Sequence, residues 1–193
     1  TASGKTSLAV KLASDINGEI ISADSRQIYR GMDIGTGKDL NEYILNNKKI
    51  NYHLIDILNP DQDYSVYNFQ KDFMNIYKQI KNNNMIPIVC GGTGLYIESI
   101  LLNYDLSKKP PPNKKLREEL ETHDKKELLN IIKSLAPLNQ IEEMLLSTKK
   151  QIIRNIEILK SDKSQRGVGV PFDPMKDDAI VIALDIDREL LRE

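Results

Sequence analysis

Gly4-Lys5-Thr6, closing the opening TASGKT, runs straight into a stretch of helical spacing, and no other feature limits the possible folds of this chain as tightly. TASGKT matches the last six positions of G-x-x-x-x-G-K-[ST], in which backbone amides and a helix N-terminus surround a di- or triphosphate. Lys5 would neutralise phosphate charge, the Thr6 hydroxyl would reach a magnesium ion, and Gly4 would let the backbone approach. Behind the motif Leu8, Ala9, Leu12, Ala13 and Ile16 recur on one helix face, and Gly18 stands where that helix should stop. A plain exposed helix start is the competing reading. The motif specifies phosphate and does not specify ATP.

Strand and helix signals then alternate. EIIS at 19–22 is a β-branched run suited to a buried strand, with Asp24 at its tip, and HLIDI at 53–57 is a second strand candidate. Val66, Phe69, Phe73, Ile76, Tyr77 and Ile80 keep a 3.6-residue period behind a candidate Ser65 cap. IPIVC at 86–90 reads as a parallel strand covered on both faces, followed by Gly91-Gly92-Thr93-Gly94 and the helical LYIESILL. This order predicts an α/β fold, a parallel sheet flanked by helices of the P-loop NTPase type, with functional loops at the strand C-terminal ends. The pattern changes at Asp105. SKKPPPN is a loop, 113 to about 160 is helical and charged, and AIVIALDI at 179–186 reads as a late strand ahead of a helix start at Arg188. The expected organisation is a core over 1–104, a small helical insertion domain over 105–150, and a return to the core over 151–193.

The charge balance of 27 Lys+Arg against 28 Asp+Glu gives the chain no general attraction for polyanions, so a nucleic-acid site must be local. Residues 105–163 hold 13 basic against 10 acidic side chains, which makes the insertion mildly basic. One cysteine, Cys90, excludes an internal disulfide and a Cys-type zinc site, and two histidines do not support a His-rich metal site. The apolar runs fall far short of the roughly 18 residues that span a bilayer. A cytoplasmic monomer without a membrane partner is the simplest expectation. Because Thr1 opens inside a motif, the sequence reads as a fragment of a longer protein.

The stretch SADSRQIYRGMDIGTGK at 22–38 resembles the signature of tRNA dimethylallyltransferases, D-S-x-x-[IV]-Y-[KR]-G-M-D-I-G-T. HLIDILNPDQDYSVYNF and PIVCGGTGLYIESIL resemble further blocks of that family, in the right order. The likeness covers most of residues 1–102. It implies transfer of a dimethylallyl group from dimethylallyl diphosphate to the exocyclic amine of the adenosine beside the anticodon in tRNA, with Mg2+ as cofactor. Under that reading Thr1, Ala2, Ser3, Gly4, Lys5 and Thr6 hold the diphosphate leaving group, and Thr6 carries the metal. Matching position by position implies Asp24 as general base, with Lys5 and Thr93 also catalytic. Asp24, Ser25, Arg26, Gln27, Thr93, Arg117 and Arg154 become the tRNA contacts.

Each assignment has a plainer counterpart. A lone Asp at a strand tip commonly caps the following turn, Thr93 could N-cap a helix, and Arg117 could be a solvated helix residue. His53 reads as a packed or hydrogen-bonded histidine, and Asp33 as an organiser of the GMDIGT loop. The family's Q-R-x-x-R segment is only partly reproduced by KQIIR, where Gln151 stands in place of an arginine and Arg154 alone transfers. Gly37 replaces a more usual alanine, and LKSDKSQRGVGVPFDPMKD lacks the expected threonine-glycine pair. The alternatives are a P-loop small-molecule or nucleotide kinase, prenyl transfer to free adenine nucleotides, and an RNA-binding remnant. A kinase would need an arginine-rich lid, yet Arg166 is the only arginine between Arg154 and Arg188.

Overall fold

A computed structural model describes residues 3–104, 106, 110, 112–161 and 179–185. It divides into two compact units. In the first, helix α1 (Lys5–Asp15) leads into strand β1 (Gly18–Ser22). A turn of 3-10 helix at Leu40–Tyr43, capped by the Asp39 carboxylate, precedes a small antiparallel hairpin of β2 (Ile44–Leu45) and β3 (Lys48–Lys49). Strand β4 (Tyr52–His53), helix α2 (Val66–Asn82), strand β5 (Ile86–Cys90) and helix α3 (Gly94–Leu101) follow.

The sheet has the order β4-β1-β5 and is parallel throughout, with Ile21 opposite His53 on one side and Val89 on the other. Successive side chains of a strand face opposite ways, and β1 uses both faces. Ile20 joins Ala9, Val10 and Ala13 of α1 with Tyr43, Ile50 and Ile55, whereas Ile21 joins Phe69, Phe73 and Met74 of α2 with Tyr96 and Ile100 of α3. The adjacent isoleucines of EIIS are therefore required by a strand sandwiched between helices. The α/β fold expected from the sequence is the one observed. Helix α2 begins as its spacing predicts, with a reciprocal capping box between Ser65 and Asn68.

Two strand expectations are corrected. Of HLIDI only His53 lies in a strand, as the last residue of β4, because Leu54 (φ 61°) and Asp56 (φ 55°) take the left-handed conformation, which breaks a β ladder. Residues 179–185 form no strand: they find no ladder partner among the described residues, and Ile180, Val181 and Ile182 are solvent-exposed. In β5, Ile86 and Val89 are likewise exposed, so among the described residues the strand is covered less completely than a two-sided strand would be. The expected helix start at Arg188 lies outside the described residues, as do Thr1 and Ala2 of the phosphate motif.

The second unit is helical: α4 (Lys114–Glu121), α5 (Lys125–Leu135), α6 (Leu138–Glu142) and α7 (Lys149–Lys160). Leu120, Leu128, Ile132, Ile152, Ile153 and Ile156 make its core. Helix α7 thus packs here, beyond the boundary at 150 drawn from the sequence, because its isoleucines fill the core left by α4 and α5. No helix among the described residues is long and apolar enough to cross a membrane.

Candidate functional site

The C-terminal ends of β1 and β5 and the start of α1 converge on one cleft, lined by Lys5, Thr6, Asp24, Gln27, Gly37, Tyr43, Cys90, Gly91 and Gly92. Gly4 enters α1 with φ 67°, a conformation that favours glycine, and among the described residues no side chain caps the helix N-terminus. Lys5 Nζ donates to Ser3 Oγ at 2.7 Å. The cleft thus presents an ammonium, a hydroxyl and a helix N-terminus to one volume, a combination suited to phosphate oxygens.

Asp24 leaves β1 under close control. Its neighbour Ala23 donates its N–H to the Cys90 carbonyl and accepts from the Thr93 N–H. Gly91 permits this: a Cβ there would stand 2.3 Å from the Ala23 carbonyl carbon and oxygen. Asp24 Oδ1 accepts the Arg26 N–H at 2.9 Å, so the turn-capping reading of this residue is realised. Oδ2 lies on the Gly92 side, and Asp24 and Gly92 both line the cleft. Thr93 occupies the N-cap position of α3 without capping it. Instead its hydroxyl oxygen accepts the Ser25 N–H at 2.9 Å and hydrogen-bonds Ser25 Oγ at 3.1 Å.

Of the other residues singled out in the sequence, Arg26 is exposed at the tip. Gln27 is committed: its Oε1 accepts from Ser22 Oγ, and its amide donates to the Thr36 and Gly37 carbonyls. His53 pairs with Glu19 at 2.6 Å, in line with the hydrogen-bonded reading, and Asn51 donates to the same carboxylate. Burial alone would raise the Glu19 carboxyl, but Asn51 and His53 hold it below the usual range.

Arg117 and Arg154 lie in the helical unit and converge on the buried carboxylate of Glu157. Arg117 makes two parallel hydrogen bonds, 2.8 and 2.7 Å, while Arg154 donates to Glu157 at 3.0 Å and to the Pro110 carbonyl at 2.7 Å. The plain reading of Arg117 as a solvated helix residue is replaced by this fork. Burial would raise the Glu157 carboxyl, but Arg117, the Asn113 N–H and Arg154 outweigh it and lower it.

Sequence reading missed Lys38, Tyr43 and Cys90. Lys38 is buried and bonds Asp33 and Asp56, which no local pattern reveals. Cys90 was findable, since it is the last residue of a parallel strand, where α/β sheets build their sites. Burial pushes its thiol up, partly opposed by Lys5. Among the described residues no group of three or more His, Cys, Asp or Glu is placed to hold a metal ion.

The family model described as IPP transferase matches residues 27–193. The chain is 46% identical to tRNA dimethylallyltransferase 2 of Bacteroides fragilis and 46% identical to tRNA dimethylallyltransferase 1 of Parabacteroides distasonis, aligned over its whole length and 61% of each relative. Among solved structures it resembles the tRNA isopentenylpyrophosphate transferase of Bacillus halodurans (34% identity, 83% of this chain and 52% of that one, TM-score 0.52). It also resembles a eukaryotic dimethylallyltransferase acting on tRNA (25% identity, 90% and 44%, TM-score 0.66). The chain spans about three-fifths of the length of the curated relatives it matches. With its parallel α/β core and the model match over residues 27–193, the chain belongs to the IPP transferase family.

Proposed function

We propose that this chain carries the catalytic core of a tRNA dimethylallyltransferase, moving a dimethylallyl group from dimethylallyl diphosphate to the exocyclic amine of the adenosine beside the anticodon. One observation carries the reading: a carboxylate, Asp24, and a phosphate-binding set, Lys5 and Thr6 at a helix start, share a single cleft. A kinase on the same loop could also use such a carboxylate, for magnesium or as a base; it is the less favoured reading because the IPP transferase model matches residues 27–193. Acceptance of free adenine nucleotides is the less favoured variant, because the curated relatives are named for tRNA.

Ser3, Gly4, Lys5 and Thr6, with Thr1 and Ala2 before them, would bind the diphosphate. As the allylic C–O bond breaks, charge grows on the leaving oxygens, and the Lys5 ammonium and the α1 amides stabilise it. A hydroxyl and a carboxylate in a cleft otherwise poor in ligands suit a magnesium ion that keeps waters and rides on substrate phosphates. Thr6 would hold that ion, which when bound supplies further neutralisation of the diphosphate. The allylic carbon gains cationic character, and the amine attacks it. Its lone pair is delocalised into the ring, so its proton must leave as the N–C bond forms, and Asp24 Oδ2 is the acceptor. The adenosine must leave the stack of the anticodon loop to reach this carboxylate. Arg26 at the exposed tip, with Ser25, Gln27 and Thr93 beneath it, would meet the extruded nucleotide, and Arg117 and Arg154 would meet the RNA backbone.

The test uses this chain completed to the length of its relatives, incubated with dimethylallyl diphosphate, Mg2+ and an anticodon stem-loop, with the RNA mass as readout. Asp24→Ala is expected to abolish the added five-carbon mass and to leave RNA binding largely intact. Prenylation at the parental rate would remove Asp24 as the base, and phosphoryl transfer from ATP without prenyl product would establish the kinase instead.

A further inference from the structure

Lys38 stands outside every role assigned so far, yet its ammonium is the most enclosed cation of the sheet unit's described residues: its side chain is 1% exposed. Nζ donates to the Tyr29 carbonyl and Asp33 Oδ1, both at 2.8 Å, and to Asp56 Oδ1. A buried ammonium is costly unless fully paired, and here all three donors are used. These partners come from the middle and the far end of the segment that begins at Asp24, and from the segment that follows β4.

The same two segments are joined around that point. The Asp56 N–H donates to the Gln27 carbonyl, Ile57 N–H to that of Ile28, and Arg30 N–H to that of Leu58. Arg30 Nε donates to the Asp56 carbonyl at 2.9 Å. Asp56 itself has φ 55°, a conformation that is sparsely populated outside glycine and persists where neighbouring bonds over-determine it. The carbonyls of Thr36 and Gly37, immediately before Lys38, receive the Gln27 amide, whose other end accepts from Ser22 at the tip of β1. A continuous chain of bonds thus runs from Lys38 through Gln27 to the strand end that bears Asp24.

The geometry points to Lys38 as a positioning residue: by tying the return of the 24–38 loop to Asp56 it fixes the Gln27 amide and, through it, the stance of Asp24 in the cleft. This role rests on Asp24 acting as the base, as proposed above. Lys38 does not line the cleft and is separate from the residues that would hold the diphosphate. Its loss therefore shifts the chemical step and spares the binding of dimethylallyl diphosphate.

The experiment compares wild type, Lys38→Met and Asp56→Asn in the chain completed to its relatives' length. For Lys38→Met, kcat for RNA prenylation is expected to fall about 10–100-fold with KM for dimethylallyl diphosphate within about twofold, the cost of misplacing a reacting group by about 1 Å. Asp56→Asn keeps Asp33 on Lys38 and should give a smaller loss in the same direction, so it decides the matter if Lys38→Met does not fold. Limited trypsin digestion supplies a readout independent of turnover: Lys38→Met should open new cuts after Arg26 and Arg30. Wild-type kcat in a folded Lys38→Met, or in Asp56→Asn alone if only that one folds, would overturn the role. So would a loss confined to KM. If the wild type itself transfers no prenyl group, the underlying reading fails, and unchanged protection of Arg26 and Arg30 would then remove the tether as well.

Discussion

The hydroxyl oxygen of Thr93 accepts the backbone N–H of Ser25 at 2.9 Å, tying the loop after β5 to the residue that follows Asp24. Thr93 therefore acts on the geometry of the cleft whether or not it also touches RNA. Thr93→Val keeps the shape and removes the acceptor, leaving the Ser25 N–H unpaired at a cost of about 1–3 kcal/mol. We expect prenyl transfer to slow about tenfold or more in Thr93→Val and to be retained in Thr93→Ser, since 1.4 kcal/mol corresponds to about a factor of ten. Single-turnover rates with RNA in excess measure this. Equal rates for the Val and Ser variants would show that the hydroxyl is dispensable.

Gly91 and Gly4 make different demands and should fail differently. At Gly91 an added Cβ would meet the Ala23 backbone at 2.3 Å, and backbone cannot swing aside. At Gly4 nothing among the described residues lies within 4 Å of the added atom, so the left-handed φ of 67° is what is at issue. Gly91→Ala is expected to lose about 1–3 kcal/mol or more as the strand ends are pushed apart. Gly4→Ala should lose about 1–2 kcal/mol. Urea titrations of the two variants rank them, and the reverse order would contradict the close approach at Gly91.

These relationships mark where sequence reading succeeds. The α1, β1, α2, β5 and α3 elements were legible because their signals are local: the Ser65 cap, the 3.6-residue period from Val66 to Ile80, the β-branched EIIS. HLIDI misled because apolar content cannot reveal that Leu54 and Asp56 take positive φ. That choice is enforced from outside the segment, by Arg30 on the Asp56 carbonyl and Lys38 on its carboxylate. Of the cleft residues, Lys5 was legible from the phosphate motif at a helix start, and Asp24 and Gly92 as loop residues at strand ends. The Arg117–Glu157 fork was not, because its partners are 40 residues apart and neither has a distinctive neighbourhood.

Glu157 makes the helical unit sensitive to acid. Its carboxyl is held below the ordinary 4.5 despite burial, by Arg117, the Asn113 N–H and Arg154. A group depressed in the folded state contributes stability that is fully present above the unfolded value and is lost as pH falls through the folded one. Hydrogen-exchange protection of α4 and α7 should therefore hold down to about pH 5 and decline below it. Arg117→Ala should weaken that protection at neutral pH as well, because it leaves a buried carboxylate with fewer donors. Glu157→Gln should flatten the acid dependence. An acid slope equally steep in Glu157→Gln would assign the effect to other carboxylates.

Cys90 offers a test of the proposed diphosphate site that needs neither RNA nor turnover. It is the chain's single cysteine, it lines the cleft with Lys5 and Thr6, and burial raises its thiol above the ordinary 9.0. Only the thiolate is nucleophilic, so iodoacetamide should label it slowly at pH 7.5 and about tenfold faster per pH unit until the thiol is titrated. If the proposed site holds diphosphate, inorganic diphosphate with Mg2+ would fill the space beside Cys90 and slow labelling, as read by intact mass. Lys5→Ala removes the ammonium that opposes the burial effect, so basal labelling should slow, and the ratio with and without diphosphate must be taken within each protein. In wild type that ratio should be well above one, and in Lys5→Ala it should collapse towards one. Protection that survives Lys5→Ala unchanged would show that Lys5 does not hold the diphosphate, and no protection in wild type would place the diphosphate outside the cleft shared by Lys5 and Asp24.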